Sequence, residues 1–380
     1  MSAPEYSFRN ARIVCADQVV AGSLNTGGGF IRKIDGGGSS TGEDMEGDFL
    51  LPGLVELHTD HLEGHYSPRP GVVWNAIAAV QAHDAQIATS GITTVLDAIR
   101  VGTDADVKAS SYDLHSLIGA ITAARDGGRL RADHLIHLRC EIAARDAVEK
   151  MDELGERGDI RLVSVMDHTP GQRQFVNLDK YREYYQGKSG MGDSEMDAYI
   201  QRCLANGGLY ADANRREIVE RCRQRGVAIA SHDDATPEHV AEAVADGATI
   251  SEFPTTHAAA EAARANGLSI LMGAPNLVRG GSHSGNVSAA DLAGEGRLDI
   301  LSSDYIPFSL LQGAMLLPRR IEGFDMPRAV ALVTRNPARA VGLDDRGEIA
   351  PGKRADLIRV TMDGEVPVVR AVWREGRRVA

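Results

Sequence analysis

The sequence predicts an α/β protein, a (β/α)₈ barrel of TIM type carrying a small discontinuous β-sandwich made from both chain ends. Three observations predict it. Short apolar runs that end in a polar or titratable residue alternate with helical stretches through the middle of the chain, the signature of a parallel sheet. Eight such runs occur, the number that closes a barrel. Both ends are rich in short β-prone runs without helical periodicity. The 380 residues, 43% hydrophobic, 25% charged and only 5% aromatic, describe a globular chain able to bury a large core.

At the N-terminus, Ala11 to Cys15, Gln18 to Val20 and Phe30 to Ile34 are strand candidates separated by the Gly27–Gly29 and Gly36–Gly38 turns. At the C-terminus, DLIRVTM and PVVRAVWREGRRV alternate in the same β-branched manner. Residues 1–50 and 346–380 are therefore expected to form the sandwich, and residues 51–345 the barrel. The barrel runs are Gly53–His58, Thr93–Asp97, His134–Glu141, Arg161–His168, Val227–His232, Thr249–Phe253, Ser269–Gly273 and Ile300–Asp304. Between them, Ala76–Thr89, Ser110–Asp126 and Pro237–Ala245 have helical periodicity. An open doubly wound sheet is the rival, but its Gly-rich fingerprint is missing. The polar, aromatic stretch Gly171–Glu195 reads as an active-site loop insertion.

The formal net charge is -12, from 53 acidic and 41 basic side chains. That argues against nucleic acid or an anionic membrane surface as partner, since both attract basic surfaces. A small anionic ligand needs only a local positive cluster. Cys15, Cys140, Cys203 and Cys222 form no CxxC pair and fit free thiols in a reducing, cytoplasmic setting. No apolar run approaches the length of a membrane helix.

Barrel chemistry sits at the carboxyl ends of the strands. Here those ends carry His58, Asp60, Asp97, Glu141, His168, His232 and Asp304. In LPGLVELHTDHLEGHYSPRPGV, alternation along a strand puts His58 and Asp60 on one side, where both can reach one divalent ion. His61, Glu63 and His65 follow as candidate ligands, orienting partners or loop residues. Glu141 can bridge two cations, or pair with Arg139 or Arg145. His168 and His232 are placed to give nitrogen ligands, with Asp167, Asp233 and Asp234 beside them to orient the rings. Asp304 can bind metal and also take a proton from water.

These strand-end residues, with the C-terminal GEIAPGKRADLIRV, resemble the amidohydrolase superfamily of metal-dependent hydrolases. More narrowly, HTDHLE, PRPGV, AHDAQ, MDHTPGQRQF, SHDDATPEHV, SEFPTT, MGAPNLVRGGSHSGN and LSSDY resemble its diphosphatase branch in the carbon–phosphorus lyase pathway. That resemblance implies hydrolysis of α-D-ribose 1-methylphosphonate 5-triphosphate, a small-molecule substrate, to the 5-phosphate and pyrophosphate. It implies one or two divalent ions, zinc first, with manganese or magnesium as alternatives. Asp60 stands where the superfamily usually has a second histidine, and His257 lies near the place of its sixth-strand histidine. For the anionic substrate the candidate contacts are Arg69, Arg173, Arg182, Lys188, Arg279, His283 and Glu63. A homo-oligomer is compatible with the sequence. Two readings stand against this one: C–N hydrolysis on the same barrel, as by an amidase or deaminase, and a non-catalytic scaffold. The intact strand-end set opposes the scaffold, and the loop arginines oppose a neutral amide substrate.

Overall fold

The structure is a computed structural model and describes residues 4–69, 71–102, 113–175, 178–282 and 285–380. The N-terminal part forms β1 (Tyr6–Val14), β2 (Val19–Gly27), β3 (Phe30–Gly36), β4 (Glu43–Asp44) and β5 (Phe49–Pro52). Eight parallel strands follow: β6 (Leu54–Thr59), β7 (Ile92–Val101), β8 (Asp133–Glu141), β9 (Ile160–Met166), β10 (Ala228–His232), β11 (Ile250–Glu252), β12 (Ser269–Gly273) and β13 (Ile300–Ser302). The C-terminus adds β14 (Leu357–Asp363), β15 (Val366–Arg374) and β16 (Arg377–Arg378).

The terminal strands form one mostly antiparallel sheet in the order β16-β15-β14-β5-β1-β2-β3, with β4 beside β1. The meeting of the ends is direct, because β14 pairs with β5. Period-2 alternation lets this sheet bury both faces. Leu50, Leu357 and Trp373 join Phe8, Ile13 and Leu24 in a core of its own. Phe49, Leu51, Ile358, Val360 and Val372 point the other way, into the helix layer around the barrel.

Inside the barrel, Val55, Leu57, Leu96, Leu162, Ala230, Ile250, Leu271 and Ile300 fill the space between strands, so the barrel is a packed core with its chemistry at one end. Closure between β6 and β13 is held by polar groups. Asp304 N–H donates to the His58 carbonyl (3.1 Å). Buried Glu56 accepts from Ser302 Oγ (2.8 Å) and Ser303 N (2.6 Å) across the seam, and from His58 N (2.7 Å) within its own strand.

Two expectations are corrected. β7 runs beyond Asp97 to Val101. Leu96 faces the interior, so alternation turns Asp97 outward, where it bonds His83 and His134 rather than the barrel mouth. The Gly171–Glu195 insertion is largely helical. It holds a 3₁₀ turn, Arg173–Phe175, then the helix Leu178–Ser189 and the start of the helix Asp193–Arg225. Its tyrosines supply the reason: Tyr181 and Tyr185 are in contact at i and i+4, 4.4 Å between centroids, and Tyr181 packs with Met196, Tyr199 and Ile200 of the following helix.

At the junction of the two units, a Cβ on Gly53 would lie 2.2 Å from Thr93 Oγ1 and 2.5 Å from its Cγ2. Gly53→Ala should therefore cost about 1–3 kcal/mol in denaturant unfolding, and Thr93→Ala in the same chain should recover part of it.

Candidate metal centre and active site

Three imidazoles stand at the carboxyl ends of β6, β9 and β10, and a buried carboxylate holds each by the same atom. His58 ends β6 and donates from Nδ1 to Glu252 Oε1 (2.7 Å). His232 ends β10 and donates from Nδ1 to Glu252 Oε2 (2.6 Å), which also accepts from Ser164 Oγ (2.7 Å). His168, just past β9, donates from Nδ1 to Glu141 Oε2 (2.5 Å). Fixing the proton on Nδ1 leaves each Nε2 as the lone-pair nitrogen, the arrangement by which a carboxylate orients a metal-ligating histidine. The His232 ring lies 5.8 Å from that of His58 and 5.9 Å from that of His168, centroid to centroid.

The carboxylates differ in their electrostatics. Burial alone would raise Glu141, but the charge and hydrogen bonds of His168, with Arg100 behind, pull its pKa down to about 2. Burial also opposes the charge on Glu252, and His58, His137 and His232 hold it well below the carboxylate range. Asp304 goes the other way: burial, with Asp60 beside it, lifts its pKa to about 6. His58 is raised, since Glu252 outweighs the burial that disfavours its charge.

One cavity is lined by His58, Asp60, His168, His232, Asp233 and Asp304, with Arg100, Arg139 and Arg279 in the same wall. The donor set fits a divalent cation: nitrogen lone pairs and carboxylate oxygens face one space. Asp233 Oδ2 is buried without a hydrogen-bond partner and lies 3.3 Å from His232 Nε2, an acceptor arranged for a positive charge. Asp233, Phe253 and Asp304 all adopt left-handed backbone angles, φ of 57°, 54° and 53°. Such conformations are strained outside glycine and gather at functional sites. Each residue follows a barrel strand while its N–H still bonds a neighbouring strand's carbonyl.

The predicted residues divide clearly. His58, Asp60, His168, His232, Asp304 and Arg279 meet in the cavity, with Glu141 one layer behind His168. Arg173 is buried and ion-paired with Asp234 and Glu242, and donates to the His232 carbonyl (3.3 Å), so it braces the end of β10. Arg69 is exposed and absent from the cavity lining, and Arg182 pairs with Asp197 on the neighbouring helix. Glu63 places its charge near Arg139. His283 and the Lys188 side chain lie outside the described residues. His257 opens the helix after β11, exposed and 3.1 Å from Glu295, away from the cavity.

Sequence reasoning missed Glu252, the places of Arg100 and Arg139, and the position of Asp233 in the cavity wall. The apolar run continues to Phe253, but the strand ends at Glu252, which shares the parity of Ile250 and is its titratable end. Arg100 and Arg139 are register partners on β7 and β8, both turned toward the mouth. Arg139 lies 3.6 Å from Asp60, and Asp60 and Glu63 outweigh the burial that opposes its charge.

The family model described as "Amidohydrolase family" matches residues 49–379. The chain belongs to the amidohydrolase family. Among amidohydrolase relatives, α-D-ribose 1-methylphosphonate 5-triphosphate diphosphatase of Escherichia coli K12 is 48% identical over 375 residues, 98% of this chain and 99% of that protein. An adenine deaminase of Desulfatibacillum aliphaticivorans is 25% identical across 93% of this chain, which spans only 54% of it. N-acetyl-D-glucosamine-6-phosphate deacetylase of Mycobacterium smegmatis shares the fold, with a TM-score of 0.64, 16% identity and 99% of each chain covered. Among the described residues no helix is long and apolar enough to cross a membrane. The four cysteines are free thiols.

Glu252→Gln offers one acceptor where two imidazole N–H groups need one each. Zinc affinity at the mouth should fall 10–100-fold, read by titrating metal-stripped protein against a competing chelator. The raised Asp304 carboxyl gives a pH signature. In metal-free protein the folded state keeps this proton after the unfolded chain has lost it, so the contribution of Asp304 to stability declines as pH rises from about 4 to about 6. The stability difference between wild type and Asp304→Asn should follow that slope in urea unfolding, and a flat difference would place Asp304 in a different environment.

Proposed function

We propose that this amidohydrolase hydrolyses α-D-ribose 1-methylphosphonate 5-triphosphate to the 5-phosphate and pyrophosphate, in carbon–phosphorus lyase phosphonate catabolism. The observation that carries it is the 48% identity, end to end, with the E. coli diphosphatase of that substrate. The cavity supports the reading. Its wall sets Arg279, Arg100 and Arg139 among the acidic and imidazole groups; Arg100 and Arg139 also pair with Glu141 and Asp60, and guanidinium groups so placed suit the phosphates of a triphosphate.

In this reading His58, His168 and His232 would hold one or two divalent cations, with Asp60, Asp233 and Asp304 as the oxygen donors of the same cavity, and zinc is the first expectation for this donor set. When bound, such a cation polarises the phosphoryl oxygens and lowers the pKa of water. Asp304, in the wall of the same cavity just past the last barrel strand, takes the proton from the water that attacks the α-phosphorus. The bond from that phosphorus to the bridging oxygen breaks, and pyrophosphate leaves in line. The arginines stabilise charge on the leaving group, and Arg173 keeps the end of β10 in place through the His232 carbonyl. Tyr184 and Tyr185, from the insertion, flank the cavity where the ribose would lie.

Incubating metal-reconstituted protein with the ribose triphosphate and following ³¹P NMR tests the assignment. Stoichiometric pyrophosphate is expected, and its absence with metal bound would overturn it. Asp304→Asn should lower kcat by about 10²–10⁴ while the circular dichroism stays native. Arg279→Ala should raise KM more than it lowers kcat.

A further inference from the structure

A second set of histidines lies outside the barrel mouth, and the reaction above makes no use of it. His61 and His65 sit at i and i+4 on the short helix His61–Tyr66, a spacing that stacks two imidazoles on one face. The adjoining helix Ala76–Thr89 carries His83 and Gln86, from the AHDAQ motif. Nε2 of His61 and Nε2 of His65 both address Gln86 Oε1, at 2.9 and 3.2 Å. The two nitrogens thus already converge on one point.

His83 completes the group. Its side chain is fully buried, and its Nε2 is held by Asp97 Oδ1 at 2.8 Å. Asp97 is itself pinned by His134 Nδ1 at 2.8 Å. His83 Nδ1 is buried and has no hydrogen-bond partner. This repeats the arrangement at the mouth, where a carboxylate fixes one ring nitrogen and the other keeps its lone pair. The ring centroids are 4.9 Å apart for His61 and His65, 6.1 Å for His61 and His83, and 6.0 Å for His65 and His83. Three imidazoles around a tetrahedral zinc, with nitrogens ~2.1 Å from the metal, have centroids about 5 Å apart. Two of the three edges are about 1 Å longer than that, so a cation there has to draw the helix His61–Tyr66 toward His83, displace the Gln86 amide and move the ring protons of His61 and His65 off Nε2.

We propose that His61, His65 and His83 form a second site for a divalent transition cation, separate from the barrel mouth, with Asp97 orienting His83. The ligand class follows from the donors: three neutral imidazoles select zinc, cobalt, nickel or copper over magnesium or calcium. Its role follows from position. The helix His61–Tyr66 begins directly after Asp60, so a cation there clamps the end of β6, with His58 and Asp60, to the helix Ala76–Thr89.

Metal-stripped full-length protein is dialysed against zinc and its bound metal counted by elemental analysis. His65→Gln and His61→Gln should each bind one equivalent fewer than wild type and show a smaller zinc-dependent rise in Tm. Neither residue lines the mouth, so the equivalents held there remain. A chain carrying His58→Gln and His232→Gln should still keep one zinc, which adding His65→Gln removes. Unchanged stoichiometry and Tm response in both His65→Gln and His61→Gln would overturn the proposal, as would no zinc at all in the folded His58→Gln/His232→Gln chain.

Discussion

One buried carboxylate organises the mouth of this barrel. Glu252 receives His58 on one oxygen and His232, with Ser164, on the other, so strands β6, β9, β10 and β11 are coupled through a single charged group. An isolated carboxylate at this depth would be costly, and the three donors are what make its ionised form tenable. The same bonds determine which nitrogen each imidazole presents to the cavity. Structure and chemistry therefore rest on the same hydrogen bonds: loosening Glu252 would cost stability and would also turn the wrong ring nitrogens to the cation.

The surrounding strain is consistent with that. Asp233, Phe253 and Asp304 occupy left-handed conformations that cost on the order of 1–3 kcal/mol each. They persist because the strand ladders beside them continue without interruption, through bonds from Asp233 N to the Glu252 carbonyl, Phe253 N to Leu271 and Asp304 N to His58. The turn at each strand end directs two carboxylates and an aromatic ring into the mouth that an extended chain would send elsewhere. At the seam between β6 and β13, Glu56 does for closure what Glu252 does for the site. It is a second buried carboxylate, raised in pKa by burial and bonded to backbone N–H groups on both sides of the seam and to the Ser302 hydroxyl.

Much of this was legible in the sequence, for physical reasons. Apolar runs punctuated by titratable residues mark parallel strands, and the eight runs correspond to β6–β13. The titratable residues at or just past the strand ends place His58, His168, His232 and Asp304 at the mouth, whereas Glu141, read as a bridging ligand or a partner of Arg139 or Arg145, lies behind His168 and pairs with Arg100. Asp97 failed because periodicity cannot show where a strand ends, and four further residues of β7 turn that carboxylate into the helix layer. Glu252 is hidden in the sequence because Phe253 extends the apolar run by one residue beyond it. Arg173 reads in sequence as a phosphate contact, yet its guanidinium is enclosed by Asp234 and Glu242. Such pairings join residues about 60 positions apart, and no local pattern carries them. The helical insertion was misread for the opposite reason: its polarity suggested a loop, while its tyrosine spacing was a helical signal.

The net negative charge of the chain also acquires a place. Carboxylates at the mouth and behind it, Asp60, Glu141, Asp233, Glu252 and Asp304, are part of the acidic excess, and Arg100, Arg139 and Arg279 set positive charge among them. An acidic protein can thus be suited to a polyanionic substrate. The most direct test of this account is the position of the metal in zinc-loaded crystals, by anomalous scattering at the zinc edge. The account predicts a peak bounded by His58, His168 and His232, ~2.0–2.1 Å from their Nε2 atoms, with Glu252 and Glu141 still on the Nδ1 side. No peak there, or a metal bound through Nδ1 with Glu252 displaced, would contradict it.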